Sequence, residues 1–226
     1  MSEVAGILPA SQGANIALVA RVLRDGGVAV IPTDTVYGLA ASVFDESAIA
    51  RVFEVKRRAP DAAVPVLLHT AADLPLLVAD VPAIAWTLID RFWPGPLTLV
   101  LPARPAVPRV LRGGGQTIAV RVPAARTCLQ VLEAAGVPLV GTSANRSGEP
   151  PATRAAEAWE ALGTEVDVVL EDDAAIGGPL PSTVVELEDG QPVVRRAGVL
   201  GVETIRQAVG TRVLVSTPLT RDRPGR

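Results

Sequence analysis

Short aliphatic runs recur along the chain, each four to six residues long and each ending in a loop of hydroxyl, Gly or Pro residues: 28–31, 64–68, 97–101, 117–122 and 139–142. Runs of this length, bounded by turn residues, read as buried strands rather than helices. Between them lie segments with apolar residues at three- and four-residue spacing, as expected of helices that lay one face on a sheet. In 11–25, Ile16, Val19, Ala20, Val22 and Leu23 share a face, with Ser11 placed to cap the start and Gly26-Gly27 to stop the end. Asp45 or Ser47 opens a second helix that carries Ala48, Ile49, Val52 and Phe53 on one face and ends near Lys56-Arg57-Arg58. Helices are also expected over 71–78, 82–92, 126–135, 154–162 and 203–209, and a strand over 166–170. Strands over 183–187 and 192–195 flank Asp189-Gly190, a hairpin signal that rules out a purely parallel sheet. The fold class is therefore α/β, one domain with a twisted sheet of mixed parallel and antiparallel strands. The pattern dissolves from Thr211, so the expectation is a domain over 1–210 followed by a flexible tail over 211–226.

Composition narrows the function classes. With 49% hydrophobic and 20% charged residues in 226, the chain can bury a sizeable core, and at 3% aromatics that core is built from Ala, Val, Leu and Ile. A net charge of −3 argues against a broad basic face for nucleic acid, while leaving room for a local patch. A single cysteine, Cys128, permits no intramolecular disulfide, and with one histidine, His69, it cannot make an ordinary zinc site. The first residues lack a basic segment followed by a long apolar one, and no apolar run reaches about 18 residues, so a cytoplasmic protein is expected, with no membrane association. Of 21 basic residues, Lys56 is the only lysine. Either it is a chance survivor of an arginine-rich composition, or it marks a site where a compact ammonium cannot be replaced by a guanidinium.

Three polar clusters follow apolar runs, where α/β folds bind ligands. Thr33-Asp34-Thr35 with Tyr37 is either a capped turn or a cradle for a small polar ligand. Lys56-Arg57-Arg58 is either a solvated helix end or a polyphosphate clamp. Thr142-Ser143-Ala144-Asn145-Arg146-Ser147-Gly148 offers hydroxyls and an amide to phosphate or ribose oxygens, yet it is neither a P-loop nor a nucleophile elbow. Gly113-Gly114-Gly115 reads as a mobile loop, and Asp172-Asp173 as a solvated pair.

Taken in order, Pro32-Thr33-Asp34-Thr35-Val36-Tyr37-Gly38-Leu39, Lys56-x-Arg58, Trp93-Pro94-Gly95-Pro96-Leu97-Thr98, Ala119-Val120-Arg121-Val122-Pro123, Ser143-x-Asn145 and Ser182-Thr183-Val184-Val185 resemble the YrdC-like L-threonylcarbamoyladenylate synthase family, from about residue 26 to 209. The resemblance implies a concave twisted sheet with a positively lined cavity. It also implies an ATP-consuming nucleotidyltransferase that makes threonylcarbamoyl-AMP and pyrophosphate from L-threonine, bicarbonate or CO₂, and ATP, with Mg²⁺ accompanying the phosphates and no dedicated protein metal site. By position, Lys56, Arg58, Ser143 and Asn145 form the central set and hold ATP with Thr117, Ser182 and Arg196. Thr35, His69, Arg121 and the backbone of Gly141 hold threonine, Arg121 pairing its carboxylate. The implied partner is a tRNA-modifying threonylcarbamoyl transferase that accepts the product, with weak RNA contact as an accompanying expectation.

The chain departs from the family pattern at Ala59, at Val64 before Pro65 in a segment about two residues longer, at Ala124-Ala125-Arg126 in place of a His, and at Pro151 in place of a Ser. These changes bear on individual contacts and leave the central four residues in place. A paralogue that binds nucleotide or RNA, with another carbamoyl-transfer role or none, is the alternative reading. The length fits the short, single-domain form.

Overall fold

The computed structural model of the chain describes residues 6–59 and 63–216. A short strand β1 (Ile7–Pro9) leads into α1 (Gly13–Arg24), whose start is Gln12 and carries no side-chain cap, so Ser11 does not play the expected role. The helix ends as anticipated, with Gly26 at φ +85°. β2 (Ala29–Pro32) follows, and then β3 (Tyr37–Ser42), antiparallel to it. The sequence pattern predicts a loop at the start of this segment and no strand within it. β3 is buried on both faces along its whole length, so its composition lacks the polar alternation by which a half-exposed strand is read.

Asp45 caps α2 (Glu46–Lys56), its carboxylate accepting the N–H groups of Ser47 and Ala48. The helix terminates where Arg57 enters the left-handed region at φ 50°. β4 (Val66–Leu67) is only two residues long, because Pro65 before it cannot donate to a ladder. The helix expected over 71–78 is a 3₁₀ segment, Ala71–Leu76, with Pro75 inside it removing the donor that an α-helix would need. α3 (Ala83–Phe92), β5 (Leu97–Pro102), a 3₁₀ turn at Arg109–Arg112, β6 (Thr117–Arg121) and α4 (Arg126–Ala135) come next. β7 (Leu139–Ser143), α5 (Ala155–Leu162), β8 (Val168–Glu171), β9 (Thr183–Glu188), β10 (Gln191–Arg196), α6 (Val202–Val209) and β11 (Leu214–Val215) complete the order. The β9–β10 hairpin turns at Asp189-Gly190, both at positive φ, as the sequence predicts. Of the segment expected as a tail from 211, Leu214 and Val215 instead pair parallel with β10, and 217–226 lies outside the described residues.

The eleven strands form one sheet in the order β1-β8-β2-β3-β7-β4-β6-β5-β9-β10-β11, with parallel and antiparallel neighbours. Strand alternation divides its side chains between two faces. On one face Val30, Leu39, Val66, Leu99, Ile118, Val120, Val140, Val185 and Val194 join the large core with Ile49 and Val52 of α2, Leu88 of α3, Leu162 of α5 and Ile205 of α6. On the other, α1 and α4 pack Val19, Leu23, Cys128, Val131 and Leu132 against Ala29, Ile31, Ala40, Leu67 and Leu139. That second cluster stops short of β6, β5, β9 and β10, and the face over those strands is where the polar residues gather.

Candidate active site

Along β6, Ile118 and Val120 enter the large core, so Thr117, Ala119 and Arg121 alternate onto the opposite face. The same parity puts Gly141 and Ser143 of β7, and Thr98 of β5, on that face. Seven of the residues expected to bind ligand fall into two groups, the first made of two hydrogen-bonded pairs and the second of three residues in direct contact.

The first group centres on Arg121, which is 5% exposed. Its Nε donates to the carbonyl of Gly95 (2.8 Å) and its Nη1 to the hydroxyl of Thr35 (3.0 Å). Nη2 lies 2.6 Å from a carboxylate oxygen of Asp34. Arg196 is close enough that the charge of Arg121, after burial, lowers its pKa. Arg196 donates from Nη2 to the carbonyl (2.9 Å) and hydroxyl (3.1 Å) of Ser182, which also shares a 2.8 Å hydrogen bond with Thr98. Thr35 with Arg121 and Ser182 with Arg196 are thus two hydrogen-bonded pairs whose guanidinium groups feel each other's charge.

The second group is built on Lys56 at the end of α2. Its side chain runs under the exit of β7, and Nζ donates to the carbonyls of Ser143 (2.6 Å) and Asn145 (2.9 Å). Burial, and then the charge of Arg58, bring its pKa down to about 8. The lysine is therefore no chance survivor on the surface: it is 3% exposed and organises the loop it reaches. Asn145 spends both amide hydrogens on the carbonyls of Arg146 (2.8 Å) and Glu149 (2.7 Å), which fixes its orientation and leaves its buried Oδ1 without a donor. The hydroxyls of Ser143 and Thr117 make no hydrogen bond among the described residues.

Gly141 sits in β7 between the groups. A Cβ there would lie 2.3 Å from Cγ of Leu67, so only glycine fits beneath that side chain. Its N–H donates to the carbonyl of Pro65 (2.8 Å), and Pro65, having no N–H, cannot return the bond. The Gly141 carbonyl is thereby left free of a partner from β4.

His69 follows Leu68, whose N–H donates to the Arg121 carbonyl (2.8 Å). It is half-buried and lines a crevice of about 130 Å³ with Asp73, Leu76, Glu133 and Pro138. Arg58 donates to the carbonyl of Ala63 (3.1 Å) and lines, with Arg57, Phe53, Arg109 and Val110, a cleft of about 740 Å³. Residues 60–62, within the segment that departs from the family pattern, lie outside the described residues.

One open alternative is decided and one expectation corrected here. Of the two readings of the first cluster, Tyr37 follows the structural one: it is fully buried, its hydroxyl donates to Asp173 (2.7 Å) and accepts from the N–H of Asp172 (3.1 Å), and burial pushes its pKa far above that of a free phenol. Asp172 and Asp173 are accordingly not a solvated pair; Asp172 accepts the Thr127 hydroxyl (2.6 Å) and Asp173 the N–H of Ala155 (2.9 Å). Asp34, of the first polar cluster, and Thr98, of the Trp93–Thr98 motif, carry site contacts for which the sequence gives no individual role.

A family model described as "Telomere recombination" (Sua5_yciO_yrdC) matches residues 21–198. The chain belongs to the Sua5/YciO/YrdC family. It is 40% identical over 198 residues to the threonylcarbamoyl-AMP synthase of Pyrococcus abyssi, covering 86% of this chain and 57% of that protein. It is 34% identical over 206 residues to a putative threonylcarbamoyl-AMP synthase of Mycobacterium tuberculosis, covering 89% of this chain and 92% of that one. The structure of P. abyssi Sua5 complexed with L-threonine superposes with a TM-score of 0.85 at 36% identity, over 91% of this chain and 60% of that one. The family domain therefore occupies most of this chain but somewhat under two thirds of the Pyrococcus protein.

Proposed function

We propose that the protein is a threonylcarbamoyl-AMP synthase. The observation that carries this reading is Arg121: a buried guanidinium beside the Thr35 hydroxyl, whose Nη2 has two hydrogens and meets one carboxylate oxygen, of Asp34, so that a hydrogen remains for a ligand. Such a group is suited to the carboxylate of an amino acid. The similarity to a Sua5 structure that contains L-threonine supports threonine as that amino acid. The Gly141 carbonyl offers an acceptor to the substrate's amine or hydroxyl, and His69 is assigned to the same subsite by family position alone.

Polyphosphate falls to the second group. Lys56 has one hydrogen left after its two carbonyl contacts, and the Ser143 and Thr117 hydroxyls are unengaged. Arg58 and Arg196 add planar donors, with Ser182 holding Arg196 in place. In the reaction the threonine amine adds to CO₂ and loses a proton, giving a carbamate. A carbamate oxygen then bonds to the α-phosphorus of ATP as the bond to the pyrophosphate oxygen breaks. No protein nucleophile is needed, so positioning and charge neutralisation are the enzyme's contribution. Cys128, fully buried and with its thiol pKa pushed up to about 12, fits that requirement.

Mg²⁺ would travel with ATP and neutralise phosphate charge. Among the described residues no cluster of three or more His, Cys, Asp or Glu side chains could hold it, so its ligands would be phosphates, water and the unpartnered Oδ1 of Asn145. The product would pass to a tRNA-modifying transferase in the cytoplasm. No helix among the described residues is long and apolar enough to cross a membrane.

The test is pyrophosphate release with threonine and bicarbonate varied independently. Release should require both, and serine should serve less well by a factor that reflects one methyl group, about 1–3 kcal/mol. ATP turnover indifferent to threonine would overturn the assignment.

A further inference from the structure

Asp34 has no role in the chemistry described so far, yet it ties Arg121 of the threonine subsite to other parts of the chain. Its carboxylate lies 2.6 Å from Nη2 of Arg121, with both side chains largely shielded from water. The same oxygen accepts the N–H of Ala124 (2.9 Å), in the segment that links β6 to α4. Its backbone carbonyl accepts the N–H of Gly177 (3.2 Å), in the loop after β8, where a Cβ would stand 2.8 Å from that oxygen. Two stretches far apart in sequence, 121–124 and the loop at Gly177, therefore converge on one residue. Asp34 is the only carboxylate in ion-pair contact with Arg121 among the described residues.

The geometry of Arg121 makes this convergence functional. Gly95 and Thr35 fix Nε and Nη1, which leaves the guanidinium free to pivot about that edge. Asp34 blocks the pivot through Nη2 by an ion pair at 2.6 Å. Nη2 carries two hydrogens, and a single carboxylate oxygen occupies only one side of it. Asp34 thus holds the fork in place and leaves a donor for a ligand. It also offsets the repulsion between Arg121 and the neighbouring Arg196.

We infer that Asp34 is a positioning residue of the threonine subsite: it orients the Arg121 guanidinium for an amino-acid carboxylate and permits a second guanidinium, Arg196, beside it. This rests on the assignment of threonine to Arg121. The experiment is threonine titration by calorimetry, with separate threonine and ATP KM values, on the full chain and on Asp34→Ala, Asp34→Asn and Arg121→Ala. Asp34→Ala should weaken threonine binding at least about tenfold and raise the ATP KM by clearly less, since Arg121 loses a direct charge-assisted contact while Arg196 is affected only through the charge of Arg121. Asp34→Asn keeps an acceptor for Ala124 and an oxygen toward Arg121, so it should fold as the parent does and recover part of the loss. If Arg121→Ala abolishes threonine binding while folded Asp34→Ala and Asp34→Asn bind threonine normally, Asp34 is structural only and the inference falls. If Arg121→Ala itself binds threonine normally, the subsite assignment fails first.

Discussion

Lys56 offers the sharpest test of the site, because its environment gives the protein a pH dependence that a guanidinium would not have. The ammonium is buried, faces the charge of Arg58, and its pKa is brought down to about 8. If the charged form contacts ATP phosphate, kcat/KM for ATP should fall as pH rises through about 8, with roughly nine-tenths of the enzyme competent at pH 7 and one-tenth at pH 9. Threonine and bicarbonate should be saturating, so that titration of the substrate amine does not enter that parameter. Lys56→Arg stays charged throughout this range and should lose the alkaline limb. It should also be at least about tenfold slower at pH 7, since the wider fork cannot make the two carbonyl contacts and the phosphate contact in the same volume. Stability gives an independent reading. The folded-state pKa lies below the unfolded value of 10.5, so the unfolded chain binds more protons between about pH 8 and 10.5 and the parent gains stability as pH rises through that window. The gain is at most about 3 kcal/mol, because the Ser143 and Asn145 carbonyls favour the ammonium and oppose the effect of burial. Chemical denaturation across that range should register the rise in the parent and its absence in Lys56→Arg. An alkaline limb that persists in Lys56→Arg would refute the reasoning, since another group would then be titrating.

Gly141→Ala should lower unfolding free energy by about 1–3 kcal/mol, because the new methyl would lie 2.3 Å from Cγ of a Leu67 that has no room to turn; adding Leu67→Ala should remove that clash, which a double-mutant cycle would detect as coupling. Tyr37→Phe should lose about 1–3 kcal/mol by leaving the Asp172 N–H without its acceptor, with pyrophosphate release per folded molecule within about twofold of the parent; a large loss of turnover in stably folded protein would return Tyr37 to the site.

Much of this architecture was legible in residue order. α4 runs over the ten residues expected of it, Asp45 caps α2, and Asp189-Gly190 turns the hairpin, because each depends on local propensity and turn chemistry. What escaped was set by partners distant in sequence. β3 is recognisable as a strand only once β2 and β7 flank it, and β1 and β11 are edge pieces whose pairing partners lie more than 150 and about 20 residues away respectively. The site divides along the same line. Lys56 was conspicuous by rarity and the Ser143–Asn145 loop by its hydroxyls and amide. Asp34, Pro65 and the roles of Tyr37 and Asp173 appear only when strands far apart in the chain are brought together.

The placement of β8 between β1 and β2, parallel to both, bears on how the chain reaches this state. β1 and β2 leave the ribosome long before β8, and the strand that completes their ladders begins at Val168. At roughly 5–20 residues per second, some 136 intervening residues take roughly 7–27 s to make. Through that interval β2 can pair only on its β3 side, and its other edge, carrying Ala29, Val30 and Ile31, is an open template for strands of other chains. The early half of the molecule therefore waits on the late half, and a nascent-chain chaperone that covers aliphatic strand edges would act on this protein before residue 168 is made rather than after release.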